Sequence, residues 1–314
     1  MSKSIEDILR KLEIEKQSRI DEENKINIER DKRFKIQREE WDRRSRMYES
    51  ISSVQSSPIS SSAGLIKSSG PNPLWSSLVA GWNLDGDFND VLGVANGTPI
   101  NGAGFTTGKI NDGFNGVKAI DLASASYVDF GNSISQRNLT FPMTISAWIK
   151  QSYSTTSGGC IPIFLDGDVN SGARGGFWLQ ITNLNALGGS SRIRAGFGNG
   201  LAAPNGLRKE WWTDFVIPKD IWKHVVVVFT DANTISFYSD GSFVASSFLT
   251  GTATTVAWSG QKTIIGYSNN YGIINAGNPT FEGSIDETYI WNRVISQSEI
   301  TELYNSGNGK QYPN

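Results

Sequence analysis

From Leu74 onward, short runs of β-branched and aromatic residues alternate with polar residues and are separated by Gly, Asn and Asp. A period of two is typical of strands, and the intervening turn residues favour tight connections between them. The pattern predicts strands over 80–84, 119–130, 143–150, 176–182, 192–196, 223–230, 234–239, 263–267 and 282–291. Many short strands at regular spacing predict an antiparallel β-sandwich or jelly roll.

Two local features refine this pattern. Asp240 and Gly241 lie between two predicted strands and predict a tight hairpin, since Gly supplies the positive φ that such a turn requires. The one convincing helix in this part of the sequence covers 296–304. Ser296 begins it as the N-cap, and Glu299 follows three residues later to complete a capping box.

The first 50 residues lack the strand-like alternation that begins at Leu74. They hold 14 Lys or Arg and 13 Asp or Glu, with no Gly, Pro or Ala, which predicts a long charged helix or two helices with a break. A heptad seam starts but is broken by charged residues in the middle. Two apolar clusters remain, and we expect them to mediate oligomerisation or docking onto a larger assembly: Ile5, Ile8, Leu9 and Leu12, and then Phe34 with Trp41. A solvated charged helix or a partly disordered tail is the alternative.

Between these regions, the segment 51–73 has nine Ser in its first twenty residues and three Pro, which predicts an extended linker. The predicted organisation is therefore a helical segment over 1–50, a linker over 51–73 and a β-sandwich over 74–314.

Composition narrows the partners. The formal net charge is −2 and the pI is near 5.6, so no overall field attracts nucleic acid. Charges interrupt every apolar run near Met1, so neither a signal peptide nor a membrane-inserting segment is predicted. Cys160 is the only cysteine, which excludes an intrachain disulfide and fits folding in a reducing compartment.

The closing stretch 281–309, FEGSIDETYIWNRVISQSEITELYNSGNG, resembles the end of laminin G-like jelly rolls in the concanavalin A-like lectin and glucanase superfamily. Four further segments resemble that family in the correct order, starting at Leu78, Ala119, Phe141 and Ile221. The resemblance implies a mainly β fold, an antiparallel jelly-roll sandwich, preceded here by the charged helix. Most members of such families bind ligands rather than catalyse reactions.

The residues argue against catalysis. The glucanases of that superfamily carry a Glu-x-Asp-x-x-Glu strand, and this chain has no such run. Asp286 and Glu287 are adjacent, so strand alternation predicts that they face opposite sides. The single histidine, His224, lies in the apolar strand WKHVVVVF and is expected to be structural. A divergent glycoside hydrolase is kept as the alternative.

A structural calcium ion is the metal that the resemblance implies. In related jelly rolls such an ion joins the first strand region to the last, and those positions correspond to Asp85 and Asp286. The alternative is that Asp85 caps a turn and that Asp286 accepts backbone hydrogen bonds.

Sugar recognition usually combines aromatic platforms with planar polar groups. Candidates are Trp211 and Trp212 in a loop-like stretch beside Lys209 and Glu210, and the group Tyr267, Asn269, Asn270 and Tyr271. One Trp of the adjacent pair is expected to face the core. The tryptophans at positions that resemble the core of the family are expected to pack inside: Trp82, Trp148, Trp222 and Trp291.

Together these features predict a non-enzymatic virion protein, such as a head fibre, decoration protein or tail component. It would be made in host cytoplasm, would form homo-oligomers, would dock onto other virion proteins through its N-terminal helix and would display a lectin-like domain to a surface glycan. A cellular lectin-like adhesion module and a structural spacer without ligand are further alternatives.

Overall fold

The computed structural model describes residues 10–18, 21–22, 25, 32, 72–116, 126–132, 139–152, 159–166, 173–183, 191–202, 207–258, 262–267 and 280–313. The chain divides into two compact units, Met1–Ile59 and Ser60–Asn314. In the first unit, the described residues are helical, in line with the predicted charged helix, and Leu12 is exposed. The other predicted docking residues lie outside the described part: Ile5, Ile8, Leu9, Phe34 and Trp41. None of the described helices is both long enough and apolar enough to cross a membrane.

The described residues of the second unit form two eight-stranded antiparallel sheets. Sheet A contains β1 (Leu78–Trp82), β3 (Gly104–Thr107), β4 (Asp112–Gly116), β6 (Met143–Gln151), β11 (Lys223–Phe229), β12 (Ile235–Ser239), β13 (Ser242–Val244) and β16 (Gly283–Trp291). Its strand order is β13-β12-β11-β6-β16-β4-β3, and β1 also pairs with β16.

Sheet B contains β2 (Thr98–Ile100), β5 (Tyr127–Asp129), β7 (Gly159–Asp166), β8 (Ala173–Asn183), β9 (Arg192–Ala202), β10 (Arg208–Val216), β14 (Ser246–Gly251) and β15 (Thr263–Ile265). Its strand order is β14-β10-β9-β8-β7-β15-β5-β2. Among the described residues of this unit there is one α-helix, α1 (Gln297–Tyr304), which follows the last strand. These two sheets confirm the predicted antiparallel sandwich.

Alternate residues of the strands form one continuous core between the sheets. On β6 the core side chains include Ile145 and Ile149, and on β8 they include Phe177, Leu179 and Ile181. All five are at most 1% exposed. Burying an aliphatic or aromatic side chain of this size contributes about 1.5–3 kcal/mol each, so this alternation fixes which face of each strand is internal.

The outer face of sheet A, the face away from the core, is covered by α1. Tyr304 of α1 stacks on Trp148 with ring centroids 5.8 Å apart, and His224 lies beside both rings. The Nε2 atom of His224 lies 2.8 Å from the Ser146 hydroxyl. Burial lowers the pKa of His224 to about 3, so the imidazole is neutral. His224 is therefore the structural histidine that the sequence predicts.

The start and the end of the sandwich meet on this same face. A short 3-10 helix, Pro73–Trp75, places the Trp75 ring 6.1 Å from Trp291 and 5.5 Å from Tyr312. The indole N–H of Trp291 donates to the Leu74 carbonyl at 2.9 Å. The outer face of sheet A is thus occupied by parts of the same domain.

The predicted hairpin and the predicted capping box are both present. Asp240 and Gly241 have φ of 51° and 75° and connect β12 to β13, which confirms the hairpin. Ser296 accepts from the Glu299 backbone N–H, and the Glu299 side chain accepts from the Ser296 backbone N–H, which confirms the capping box.

The prediction that four tryptophans pack inside is correct for three of them. Trp82, Trp148 and Trp291 are buried as expected, although Trp148 and Trp291 belong to the outer face of sheet A rather than to the central core. Trp222 is only half-buried and lies 5.1 Å below the Lys150 ammonium group. The prediction that it packs in the core is wrong, because it precedes β11 instead of lying within the alternation of that strand.

Candidate functional site

The outer face of sheet B carries a group of polar and aromatic side chains. It is defined by alternation: Phe177, Leu179 and Ile181 of β8 enter the core, so Trp178 and Gln180 point away from it. The same rule places Arg194 of β9, and Glu210 and Trp212 of β10, on this outer face.

Strand register brings these residues together in two rows. In the first row, Gln180 is paired with Arg194, which is paired with Trp212. In the second row, Trp178 is paired with Gly196, which is paired with Glu210. Directly opposite residues on neighbouring strands have Cβ atoms about 4.5–5.5 Å apart, so the side chains of each row are in contact range.

The side chains of the second row, Trp178 and Glu210, meet above Gly196. A Cβ atom at this position would lie 2.8 Å from Cζ2 of Trp178 and 2.7 Å from Cγ of Glu210. These distances are too short for carbon atoms, so only glycine lets the Trp178 ring and the Glu210 side chain approach one another here. The close packing of this face therefore depends on the absence of a side chain at 196.

Glu210 is held by two guanidinium groups. Its Oε1 accepts from Arg194 Nη2 at 2.5 Å, and its Oε2 lies 3.0 Å from Arg208 Nε. Glu210 is fully buried and Arg194 is 5% exposed, whereas the Arg208 side chain is 25% exposed, so the network reaches the solvent only through Arg208. Such charges are tolerated when buried only if they are paired, and the network fixes the positions of β9 and β10 side chains around Trp212.

Two uncharged polar atoms on this face have no hydrogen-bond partner among the described residues: the indole Nε1 of Trp178 and the amide Oε1 of Gln180. Trp178 is 2% exposed and Gln180 is 1% exposed. Buried polar groups are normally hydrogen-bonded, because leaving one without a partner costs about 1–3 kcal/mol. A donor and an acceptor on one face are therefore both able to hydrogen-bond a ligand.

The structure places the predicted sugar-binding residues in different environments. Trp211 belongs to the core and Trp212 to the outer face of sheet B, where it is half-buried, as expected for one Trp of the pair. Their stretch was predicted to be loop-like, which is wrong, because Arg208–Val216 forms β10. Tyr267 is 9% exposed and stacks on Tyr127 at 4.7 Å. Asn269, Asn270 and Tyr271 lie outside the described residues.

Sequence reasoning missed Trp178, Gln180 and Arg194 as candidates. Alternation within FWLQIT of β8 would have separated Phe177 and Leu179 from Trp178 and Gln180. It does not show that Gln180 and Arg194 become neighbours, since that follows from the register of β8 with β9.

A second polar cluster joins the beginning and the end of sheet A. Asp286 of β16 accepts from three backbone N–H groups, those of Lys109 at 2.7 Å, Ile110 at 3.0 Å and Glu287 at 3.0 Å. Asp85 accepts from the backbone of Asp112 at 3.3 Å. Burial raises the pKa of Asp286 to about 8, and these backbone donors oppose that rise.

Glu287 does not obey the alternation that the sequence predicts. It has a φ of 48°, and the register of β16 with β6 shifts between Asp286 and Tyr289. This β-bulge leaves both acids buried, and the repulsion from Asp286 adds to burial in raising the pKa of Glu287 to about 9. The expectation that the two carboxyl groups are separated on opposite sides of a regular strand is therefore wrong, because the strand is bulged at this point.

The predicted calcium position can be tested on the oxygens of Asp85 and Asp286. Both oxygens of Asp286 accept backbone N–H groups. One oxygen of Asp85 accepts from Asp112, and the other accepts from the side-chain amides of Asn111 and Gln311. Calcium needs oxygen lone pairs, which N–H donors hold here, so the residues as they lie do not fit the ion. Within the described part of the chain, no group of three His, Cys, Asp or Glu forms a metal cluster either. Calcium binding stays a prediction.

Comparison with known proteins agrees with this architecture. The family model that matches residues 122–301 is that of the laminin G-like domain of the concanavalin A-like lectin/glucanases superfamily, and it spans more than half of the chain. No curated protein sequence matches.

Two solved structures show the same fold. The binding domain of Paraclostridial Mosquitocidal Protein 1 has 18% sequence identity and a TM-score of 0.51, over 74% of this chain and 53% of that chain. The binding domain of botulinum neurotoxin serotype C1 has 14% identity and a TM-score of 0.52, over 74% of this chain and 52% of that chain. The aligned part thus spans about half the length of these two structures. The chain belongs to the laminin G-like family of the concanavalin A-like lectin/glucanases superfamily.

Proposed function

We propose that this protein is a non-enzymatic structural component of a virion, a head fibre, decoration protein or tail component, that binds a surface glycan through the outer face of sheet B. The observation that carries the glycan proposal is the position of Trp212. It is half-buried on this face, directly across from Arg194, and lies beside the network of Glu210. An aromatic face next to planar, fixed polar groups is the arrangement that sugar rings use.

The opposite side of the sandwich is less suited to this role. There, α1 and the two ends of the domain cover the strands, and Trp148, His224 and Trp291 are each at most 2% exposed. Trp178 and Gln180 on the outer face of sheet B are buried to the same degree, but Trp212 on that face is half-buried and so offers a ligand part of its ring. We therefore place the binding site on the outer face of sheet B.

The described carboxyl groups support binding rather than hydrolysis. A retaining glycosidase needs two carboxyls about 5–5.5 Å apart and open to the sugar. Asp286 and Glu287 are at most 1% exposed and are hydrogen-bonded inside sheet A. Glu210 is held by Arg194 and Arg208, so neither of its oxygens is directed at a substrate.

The glycan proposal is tested by applying the full chain to a glycan array with and without calcium. We expect binding of at least one class of glycan, reduced at least tenfold in Trp212→Ala and unchanged in Trp222→Ala, which removes a half-buried tryptophan from a different position. Absence of binding in both conditions, or equal binding by Trp212→Ala, would refute it. Reducing sugar released from the bound glycan would favour the hydrolase alternative.

The virion proposal is supported by the order of the segments, a charged helical segment, a Ser-rich linker and a lectin-like sandwich. In it, the first 50 residues form homo-oligomers and dock onto other virion proteins. Mass measurement of the full chain against a chain lacking residues 1–50 tests the oligomer, and equal monomeric masses would refute it. Mass spectrometry of purified particles tests the setting. A cellular adhesion module would be absent from them.

A further inference from the structure

We infer that Trp178 and Gln180 form an inner subsite for a hydroxyl group of an uncharged terminal sugar on the outer face of sheet B. This inference rests on the proposed glycan function and names the ligand class and two residues that recognise it. Neither residue is marked by the sequence pattern as a candidate, and both lie on β8, two strands from Trp212 in the pairing order β8-β9-β10.

Trp178 and Gln180 offer one hydrogen-bond donor and one acceptor. The Trp178 indole N–H is a donor only, and the Gln180 Oε1 atom is an acceptor. Each lacks a partner among the described residues, and both side chains are at least nine-tenths buried. Because Trp178 and Gln180 are two residues apart on β8, both side chains leave the same face of the strand.

Hydroxyl groups are the ligand groups that satisfy both atoms. A hydroxyl group accepts and donates, so neighbouring hydroxyls of a sugar complete the hydrogen bonds of both side chains. A carboxylate has only acceptors and would face the Gln180 oxygen without a proton, whereas an ammonium group has only donors and would face the Trp178 N–H. An uncharged polyhydroxylated ring is therefore the ligand class that fits both.

A network of three charged side chains lies beside Trp178. Arg194 and Arg208 both direct nitrogen atoms at Glu210, at 2.5 Å and 3.0 Å. The Glu210 side chain in turn lies against Trp178 above Gly196. Because two guanidinium groups face one carboxylate, this network has a formal charge of +1, and the preference for an uncharged sugar rests on the hydrogen-bonding groups of Trp178 and Gln180.

The burial of Trp178 and Gln180 limits how much of a glycan can reach them. Trp178 and Gln180 are 2% and 1% exposed, whereas Trp212 on the same face is half-buried. A group that reaches the inner residues must be narrow. We therefore assign the inner subsite to a chain end, with Trp212 stacking on the same sugar or on the next one.

The test measures affinity of the full chain for matched oligosaccharides that end in a neutral hexose or in a carboxylated sugar. The variants are Trp178→Phe, which keeps the aromatic ring and removes the N–H, and Gln180→Met, which keeps the length and removes the carbonyl. The matched control is Trp75→Phe. Trp75 Nε1 also lacks a partner among the described residues and is buried, but it lies on the outer face of sheet A.

We expect neutral termini to bind better, and each variant to weaken this binding about 3- to 10-fold, the loss typical of one or two hydrogen bonds. Trp75→Phe should bind as the parent does, and thermal unfolding should confirm that all variants are folded. Preference for carboxylated termini would overturn the inference. So would unchanged affinity in both Trp178→Phe and Gln180→Met, which would mean that water alone occupies these atoms. If the parent chain binds no glycan at all, the proposed function fails and this inference fails with it.

Discussion

The hydroxyl of Tyr289 lies 2.7 Å from the side-chain oxygen of Asn83, and this contact joins the last long strand to the residue that follows the first. The same hydroxyl accepts from the backbone N–H of Tyr312 at 3.1 Å and contacts Glu287. A hydroxyl has one proton, so it cannot donate to both Asn83 and Glu287. The Asn83 oxygen and Glu287 therefore share the single proton that this hydroxyl donates, and burial together with repulsion from Asp286 raises the pKa of Glu287 to about 9.

Tyr289→Phe should therefore lower the free energy of unfolding by about 2–4 kcal/mol. The substitution leaves Asn83, Glu287 and the Tyr312 backbone N–H without their shared partner, and a buried polar group without a partner costs about 1–3 kcal/mol. Glu287 is buried and the other two are half-buried, so the sum stays below three full penalties. Urea unfolding at pH 7 measures the change. Tyr304→Phe is the control, because it keeps the ring on Trp148, and no hydrogen bond of its hydroxyl occurs among the described residues. An equal loss in both variants would argue against the network.

Gln311 should hold the two ends of the domain together without a metal ion. Its side-chain amide donates to Glu287 at 3.0 Å and also to Asp85, so it occupies the space between these two acids. We expect Gln311→Ala to lower the midpoint of thermal unfolding, and the parent chain to have the same midpoint in 1 mM calcium as in EDTA.

The same measurement tests the predicted calcium ion. A midpoint that rises with calcium in the parent and not in Asp85→Asn or Asp286→Asn would establish calcium as a ligand of these residues.

His224 should make the domain sensitive to acid. Its pKa is about 3 when folded and 6.5 as a free group, so only the unfolded chain binds this proton between these values. Its contribution is complete above pH 6.5 and is lost as the pH falls toward 3, by about 1.4 kcal/mol per unit. His224→Gln should show a smaller loss than the parent between pH 6.5 and pH 4.5 in urea unfolding.

Parallel stability curves for the parent and His224→Gln would contradict this prediction. Asp240 accepts from the His224 backbone N–H at 3.1 Å, and it remains in both proteins. Differences between the two curves can therefore be assigned to the imidazole.

Gly196→Ala should destabilise the domain by about 1–3 kcal/mol, the usual cost of an overpacked site. Its new Cβ would lie 2.6 Å from the Lys209 backbone oxygen, which cannot move as a side chain can. Gly104→Ala is the control, because its nearest neighbour would lie 3.8 Å away. The glycan affinity of Gly196→Ala should also fall, since Trp178 and Glu210 would have to separate. Equal stability of the two alanine variants would contradict the packing described.

Local patterns along the chain determine much of this protein. The strands with regular alternation, the Asp240-Gly241 hairpin and the Ser296–Glu299 capping box each depend on residues within a few positions of one another, so a single sequence specifies them. The same is true of Trp211 and Trp212, because alternation sends adjacent residues to opposite faces. The resemblance of the closing stretch to laminin G-like domains identified the family for the same reason.

Only the tertiary structure decided what the strands bring together. The bulge at Glu287 arises where β16 pairs with β6, and it cancels the alternation that separated Asp286 from Glu287 in sequence. Gln311 reaches Asp85 across 226 positions of the chain. Trp178, Gln180 and Glu210 form one surface because β8, β9 and β10 align in a particular register. Pairing between distant strands depends on the summed burial of the whole core, which no short window of residues contains.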